Sequence, residues 1–119
     1  MERIVEQSLL YDFYGELLTP HQKEIYEAAI FNDMSLGEIA EEQGISRQGV
    51  HDQLKRCHKI LEEYESKLHL LSRFLQMKQK AEEIARVSAE AKSNLQHMDR
   101  LIESLERIEC LSADILEEL

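Results

Sequence analysis

The sequence has few of the residues that interrupt helices or build disulfide frameworks. It contains four glycines, one proline, two cysteines and no tryptophan, and 6% of its residues are aromatic. This scarcity favours long helices over a fold of short strands and turns. No apolar run approaches the roughly 18 residues of a membrane-spanning helix, and the acidic N-terminus is unlike a signal peptide. We therefore expect no membrane association and a cytoplasmic location.

The motifs that catalysis and metal binding require are also missing from the sequence. It has no glycine-rich phosphate loop and no nucleophile with a base at motif spacing. Cys57 and Cys110 lie far apart, without the spacing of metal ligands. Two free, buried thiols are expected instead of a disulfide. We expect no enzyme activity, no cofactor and no metal.

The chain has fewer basic than acidic residues. The chain has 24 acidic residues against 14 Lys and Arg, a net charge of -10. Residues 1–71 carry 7 Lys and Arg against 14 Asp and Glu, and residues 72–119 carry 7 against 10. Non-specific DNA affinity comes from neutralising phosphates. The balance therefore argues against tight binding to generic DNA.

Helix-start signals divide the first 34 residues into two helices. Ile4 to Leu18 reads as one helix, and Thr19 with Pro20 suits the start of a second, which should run to about Asn32. Several apolar side chains on these helices are candidates for burial: Ile4, Leu9, Leu10, Phe13, Tyr14, Leu17, Ile25, Ala28, Ala29 and Phe31.

The segment "SLGEIAEEQGISRQGVHDQLKRC" predicts a helix, a tight turn and a second helix. Ser35 and Glu38 form a capping-box pattern, and Gly44 suits a left-handed helix C-cap. Ser46 is the expected N-cap of a helix that begins at Arg47. These signals together predict a helix-turn-helix. The alternative is a helical hairpin with a glycine turn that binds no nucleic acid.

The second helix of this motif has two distinct faces. At 100° per residue, Val50, Leu54, Cys57 and Leu61 point to the core, and Gln48, Asp52, Lys55 and Lys59 lie opposite. In such motifs the exposed N-terminal part of this helix meets base edges. Gln48 suits adenine, and Arg47 suits guanine or a phosphate. The candidate nucleic-acid-binding residues are Ser46, Arg47, Gln48, His51, Lys55, Arg56 and Lys59. For the lysines, a solvated helix face is the alternative.

A family resemblance covers the same part of the chain. The stretch "LLTPHQKEIYEAAIFNDMSLGEIAEEQGISRQGVHDQLKRCHKILEEYESKL", from Leu17 to Leu68, resembles the YlxM-type family of small bacterial helix-turn-helix proteins. That fold is similar to the promoter-reading domain of sigma factors. The resemblance implies a DNA-binding regulator whose gene neighbours that of the signal recognition particle GTPase, with a role around that particle. It implies a nucleic-acid face made of Ser46, Arg47, Gln48, His51, Lys55 and Arg56.

The remainder of the chain predicts long helices with an apolar seam. No glycine or proline follows Val50, and apolar residues recur at alternating steps of four and three. A break is expected at Ser93–Asn94, with one of these residues capping a last helix; Ser66 and Ser112 to Asp114 are further candidates. The seam from Phe74 to Leu105 favours a homo-oligomer, most simply a dimer. The seams of two chains would pack together directly, or each chain would fold back on itself and pair through an apolar ridge that stays exposed.

These patterns predict an all-α fold with five or six helices. A helix-turn-helix head (1–71) precedes a helical extension (72–119) that serves oligomerisation. Two functions fit: a DNA-binding regulator that uses Arg47, Gln48 and Lys55, or an acidic interaction module that does not bind DNA. The module would dock a targeting GTPase or its RNA complex through Glu38, Glu41 and Glu42.

Overall fold

The structure, a computed structural model, describes residues 2–119, and its regular elements are all helical. The helices are α1 (Arg3–Tyr14), a 3-10 turn (Gly15–Leu17), α2 (Pro20–Ile30), α3 (Leu36–Gln43), α4 (Arg47–Leu68), α5 (Leu70–Ser93) and α6 (Met98–Glu118). No strand occurs between residues 2 and 119. The fold is all-α, as predicted.

The chain divides into two compact units, Met1–Leu71 and Ser72–Leu119. In the first unit, α4 is the central element and packs against α1, α2 and α3. Its Val50 joins Ile25 and Ala28 of α2 and Ile39 and Ala40 of α3 in one buried cluster. The second helix of the helix-turn-helix is therefore anchored on one side by the core of this unit.

Local capping sets where α2 begins. The Thr19 hydroxyl accepts a hydrogen bond from the Gln22 amide (3.2 Å), and the Thr19 amide donates to the Gln22 side chain (2.9 Å). This reciprocal pair satisfies two amides that would otherwise lack partners, and Pro20 has no amide hydrogen to satisfy. The predicted start of α2 is confirmed. The helix ends at Ile30, slightly before the predicted Asn32.

Four residues predicted to be buried are exposed. The exposed fractions are 50% for Ile4, 36% for Phe13, 54% for Leu17 and 47% for Phe31. Leu17 lies in the 3-10 turn, which ends the 3.6-residue period of α1 and brings Leu18 into the core instead. Phe31 lies just beyond the last residue of α2. Its ring packs edge-to-face against the Tyr11 ring, with 5.2 Å between the two ring centroids.

The boundary between α4 and α5 is stabilised by side chains that are distant in sequence. The buried Tyr14 hydroxyl donates to the Glu65 carboxylate (2.6 Å) and accepts from the Leu70 amide (3.1 Å). Glu65 also accepts from the Leu71 amide (2.9 Å). The first amides of α5 thus have partners, although the boundary contains neither glycine nor proline. His69 adopts a left-handed conformation there (φ 57°).

The second unit contains the predicted break after Ser93, but the capping differs from the prediction. Ser93 ends α5, and its hydroxyl donates to the Glu90 carbonyl (2.8 Å). His97 precedes α6 without a capping side-chain bond, so neither Ser93 nor Asn94 caps the last helix. Helix α6 continues through Ser112 to Asp114, where a break had been a further candidate. Arg107 of α6 donates two hydrogen bonds to Glu83 of α5 (3.0 and 2.8 Å).

The predicted seam is divided between buried and exposed positions. In the second unit the buried residues are Val87, Ala91, Ser104 and Leu111. The exposed large apolar side chains of this unit are Phe74, Leu95, Met98, Ile102, Leu105, Leu116 and Leu119. Helix α6 folds back beside α5, and the contact between them buries only one side of the apolar surface of α6. Only part of the seam is therefore core.

The two cysteines are both free, as predicted, but only one is buried. Cys57 is fully buried in α4, whereas Cys110 is exposed on α6. The expectation of two buried thiols is wrong for Cys110 because it lies on the polar side of α6, away from the buried Ser104 and Leu111.

Candidate nucleic-acid interface

The turn between α3 and α4 has the geometry that its sequence predicts. Ser35 and Glu38 form a complete capping box at the start of α3. Gly44 ends this helix in a left-handed conformation (φ 67°, ψ 31°), and the Ala40 carbonyl accepts from the amides of Gly44 and Ile45. Glycine, which has no Cβ, adopts this conformation with the least strain. The turn sets the direction in which α4 leaves α3.

Helix α4 separates core and solvent as predicted. Val50, Cys57 and Leu61 are fully buried, and Leu54 is partly buried. All seven predicted site residues are exposed, as is Asp52. Because one side of α4 is held in the core, its opposite face is rigid and accessible. Six exposed residues make up this surface, the α4 face: Gln48, His51, Asp52, Lys55, Arg56 and Lys59.

Several positive charges of α4 have no acidic partner. Within residues 2–119, all five Lys and Arg of this helix form no ion pair: Arg47, Lys55, Arg56, Lys59 and Lys67. Some basic residues elsewhere are paired, such as Lys23 with Glu16 at 2.9 Å and Arg107 with Glu83 at 2.8 Å, whereas others, such as Arg3, are not. Unpaired cations can meet an anion without first breaking an internal contact.

Asp52 occupies the middle of the α4 face and pairs with two of its neighbours. The Gln48 side-chain amide donates to the Asp52 carboxylate at 3.0 Å. The Nδ1 atom of His51 lies 3.7 Å from the same carboxylate oxygen. In the free protein, the Gln48 side chain, which is the one best suited to adenine, is thus hydrogen-bonded to Asp52. The spacing of four residues between Gln48 and Asp52 signals such a pair in the sequence.

Two predicted site residues have additional local roles. The Ser46 hydroxyl accepts from the Gly49 amide (2.9 Å) and caps α4, which confirms the predicted start of this helix. The Arg47 guanidinium lies against Gly37 in the first turn of α3, so close that a Cβ on Gly37 would be 3.0 Å from Nη2. Arg47 therefore points back toward α3 and not along the α4 face.

A cavity beside the α4 face was not foreseen from the sequence. It has a volume of about 380 Å³ and is lined by residues of α1, α2 and α4, among them Arg3, Tyr26 and Lys55. The lining residues run from Arg3 to His58, 55 positions apart, and no local pattern links them. Sequence periodicity assigns a residue to a face of its own helix, but it does not show which neighbouring helix that face meets.

In the part of the chain that the structure describes, no group of three His, Cys, Asp or Glu side chains is placed to hold a metal ion. Over the same residues, no helix is long and apolar enough to cross a membrane.

Comparisons with known proteins are consistent with the geometry of the α3–α4 motif. A family model described as "UPF0122: Putative helix-turn-helix protein, YlxM / p13 like" matches residues 1–101. A UPF0122 protein of Acetivibrio thermocellus is 52% identical over 84 residues, which cover 71% of this chain and 72% of the relative. A UPF0122 protein of Anoxybacillus flavithermus is 39% identical over 109 residues, covering 92% and 99%. One from Bacillus thuringiensis is 36% identical with the same coverage.

Proposed function

The chain belongs to the UPF0122 family of YlxM / p13-like helix-turn-helix proteins, and from this premise we propose that it is a nucleic-acid-binding regulator that uses the α4 face. The observation that supports the proposal most is the exposed row Gln48, Lys55 and Lys59 on a helix whose other side is fixed in the core. A rigid element with exposed, unpaired cations suits the major groove of DNA.

The positions of the side chains suggest a division of roles. Gln48 would hydrogen-bond to a base edge, adenine by preference, once it leaves Asp52. Lys55, Arg56 and Lys59 would contact phosphates and fix the register of the helix. Arg47 lies against the start of α3, the helix that crosses the backbone in this motif, so a phosphate is its expected partner as well.

The charge of the molecule limits how tightly one copy would bind. Residues 1–71 carry a net charge of -7, and Asp52 lies among the proposed contacts. Four cations would give a salt slope of about -3 to -4 in log affinity against log salt. A pair of copies, each contributing one α4 face, would double that slope. We therefore propose weak binding to random duplexes and selective binding to a target that matches two copies.

Selection from random DNA and RNA pools tests this function. The wild-type chain should enrich a shared sequence or structure, and Lys55→Glu should not. The matched control is Lys67→Glu, which makes the same charge change in the last turn of α4, away from the α4 face. Enrichment by all three proteins, or by none, would contradict a role for the α4 face.

We propose the signal recognition particle as the system on which the regulator acts, because the family resemblance points to it. The target would then be the RNA of the particle or DNA that controls its genes. A second candidate function, an acidic module that docks the targeting GTPase or its RNA complex, is favoured by one observation. Glu41 and Glu42 are exposed on α3, although Glu38 is engaged in its capping box.

Charge reversal separates these two candidate functions. The double substitution Glu41→Lys and Glu42→Lys should abolish binding to the purified GTPase if α3 is a docking face, while Lys55→Glu should leave that binding unchanged. The opposite pattern, measured with the purified particle RNA, is expected for the nucleic-acid regulator. The two sets of variants lie on different helices of one motif, so each serves as the control for the other.

A further inference from the structure

The cavity beside α4 is lined by both apolar and basic side chains. The half-buried Ile30 of α2 and Leu54 of α4 supply apolar surface above the buried Tyr26, and Arg3 of α1 and Lys55 of α4 supply charge. Its volume of about 380 Å³ falls in the range of small-molecule sites. The cavity lies wholly within the unit Met1–Leu71.

The electrostatic character of this cavity is opposite to that of the whole chain. No residue that lines it is acidic, although the chain contains 24 Asp and Glu. Two histidines, His51 and His58, complete the basic side. Arg3 and Lys55 form no ion pair within residues 2–119. A negatively charged ligand would therefore meet attraction there without displacing an internal carboxylate.

The two ring nitrogens of His58 are not available to a ligand. Its Nε2 atom lies 2.9 Å from Glu62, which is not among the lining residues. Its Nδ1 atom is buried and has no hydrogen-bond partner among the described residues. Because water does not reach this atom, a ligand in the cavity would not reach it either. The charged groups that a ligand would meet are those of Arg3 and Lys55.

We infer that the cavity binds a small amphipathic anion, an apolar ring or short chain that carries a phosphate or carboxylate group. The apolar part would cover Ile30 and Leu54, and the charged end would meet Arg3 and Lys55. Phosphates and carboxylates share the chemistry that these cations recognise.

The cavity adjoins the α4 face, so a ligand there would affect nucleic-acid binding; this coupling rests on the proposed function. His51 and Lys55 line the cavity and also belong to the α4 face. A bound anion would hold Lys55 toward the cavity and neutralise it. Occupancy of the cavity would therefore lower nucleic-acid affinity, and the coupling would be reciprocal.

Calorimetric titration of the full chain with phenyl phosphate tests the site itself. Phenyl phosphate should bind about tenfold more tightly than inorganic phosphate or benzyl alcohol, because each of these lacks half of the interaction. Arg3→Gln lies outside the α4 face and should weaken phenyl phosphate at least about fivefold. Lys67→Gln, which removes a cation elsewhere on α4, should leave it unchanged.

Amide chemical shifts locate the binding independently of its strength. Phenyl phosphate should shift the amides of Ile30 and Leu54 and leave those of α6 in place. Equal affinity for inorganic phosphate, an unchanged Arg3→Gln affinity, or shifts confined to other helices would overturn the site.

The coupling has a separate readout. Phenyl phosphate should lower nucleic-acid affinity in the wild type, and in Arg3→Gln the concentration that gives half of this effect should rise by the same factor by which the variant weakens phenyl phosphate. If phenyl phosphate binds as expected but nucleic acid does not bind at all, the site stands and the proposed function fails. If both bind without affecting each other, the coupling is wrong.

Discussion

Cys57 and Cys110 differ in environment although both are free thiols. Cys57 is fully buried in α4, and this burial raises the pKa of its thiol, against a smaller lowering by Arg56. Cys110 is exposed on α6. Because the thiolate is the reactive form and needs access to the reagent, the two should react at very different rates.

A thiol-reactive disulfide reagent measures this difference. At mildly alkaline pH the native chain should rapidly release one equivalent of the reagent's thiolate. Cys110→Ser should remove this rapid phase. Denaturant should then expose the second thiol. Rapid release of two equivalents from the native protein would show that α4 is not held in the core as described, and the α4 face would lose its rigid support.

At the scale of elements, Gly44 determines how α3 and α4 are joined. A Cβ added at this residue would meet nothing within 4 Å, so only the left-handed backbone opposes substitution. Gly44→Val should cost more than about 1 kcal/mol of unfolding free energy, because β-branched residues are strained there. Gly44→Asn should cost less, since asparagine tolerates this conformation. Chemical denaturation of both variants measures the difference, and equal losses would argue against backbone strain.

The boundary between α4 and α5 depends on Tyr14. Its hydroxyl joins Glu65 and the Leu70 amide, and the ring is almost fully buried. Tyr14→Phe removes one partner each from the Glu65 carboxylate and the Leu70 amide, in hydrogen bonds that are partly buried, and should cost about 1–3 kcal/mol. Ser66→Ala removes a hydroxyl that bonds only to the nearby Glu63 carbonyl and serves as the control. Similar stability of the two variants in urea would mean that the network does not hold the boundary.

These two boundaries show what the sequence could predict. The turn at Gly44 was predictable because its signals lie within a dozen residues and each has a local cause: Ser35, Glu38, Gly44 and Ser46. The boundary after Leu68 depends on Tyr14, more than 50 residues earlier, and no pattern around Ser66 signals it. The exposed face of α4 followed from its period, whereas the cavity with Arg3 required the packing of α1 and α2.

At the scale of the whole molecule, the exposed side of α6 is the proposed self-association surface. Met98, Ile102, Leu105 and Leu116 recur at helical spacing next to the buried Ser104 and Leu111, so the apolar arc is wider than the part that is covered. A second copy offering the same residues would cover the remainder. Such a dimer would also supply the second α4 face that selective binding requires.

Analytical ultracentrifugation at high micromolar concentration tests this dimer. The wild type should sediment as a dimer, and Leu105→Glu as a monomer with unchanged helix content. Cys110→Glu makes the same charge change on the polar side of α6 and should remain dimeric. A monomeric wild type would leave the exposed apolar arc without this function.

The α4 face is the central claim, and opposite charge changes on it test the claim most directly. The measurement is fluorescence anisotropy of a random duplex titrated with wild type, Lys55→Glu and Asp52→Asn, at a low and a physiological salt concentration. Wild-type binding should be weak and should fall steeply with salt, because it depends on neutralising phosphates. Lys55→Glu should abolish it. Asp52→Asn should strengthen it, because it removes a negative charge and loosens the pair with Gln48. Equal binding by all three proteins, or nanomolar binding by the wild type at physiological salt, would contradict a nucleic-acid interface built on this face.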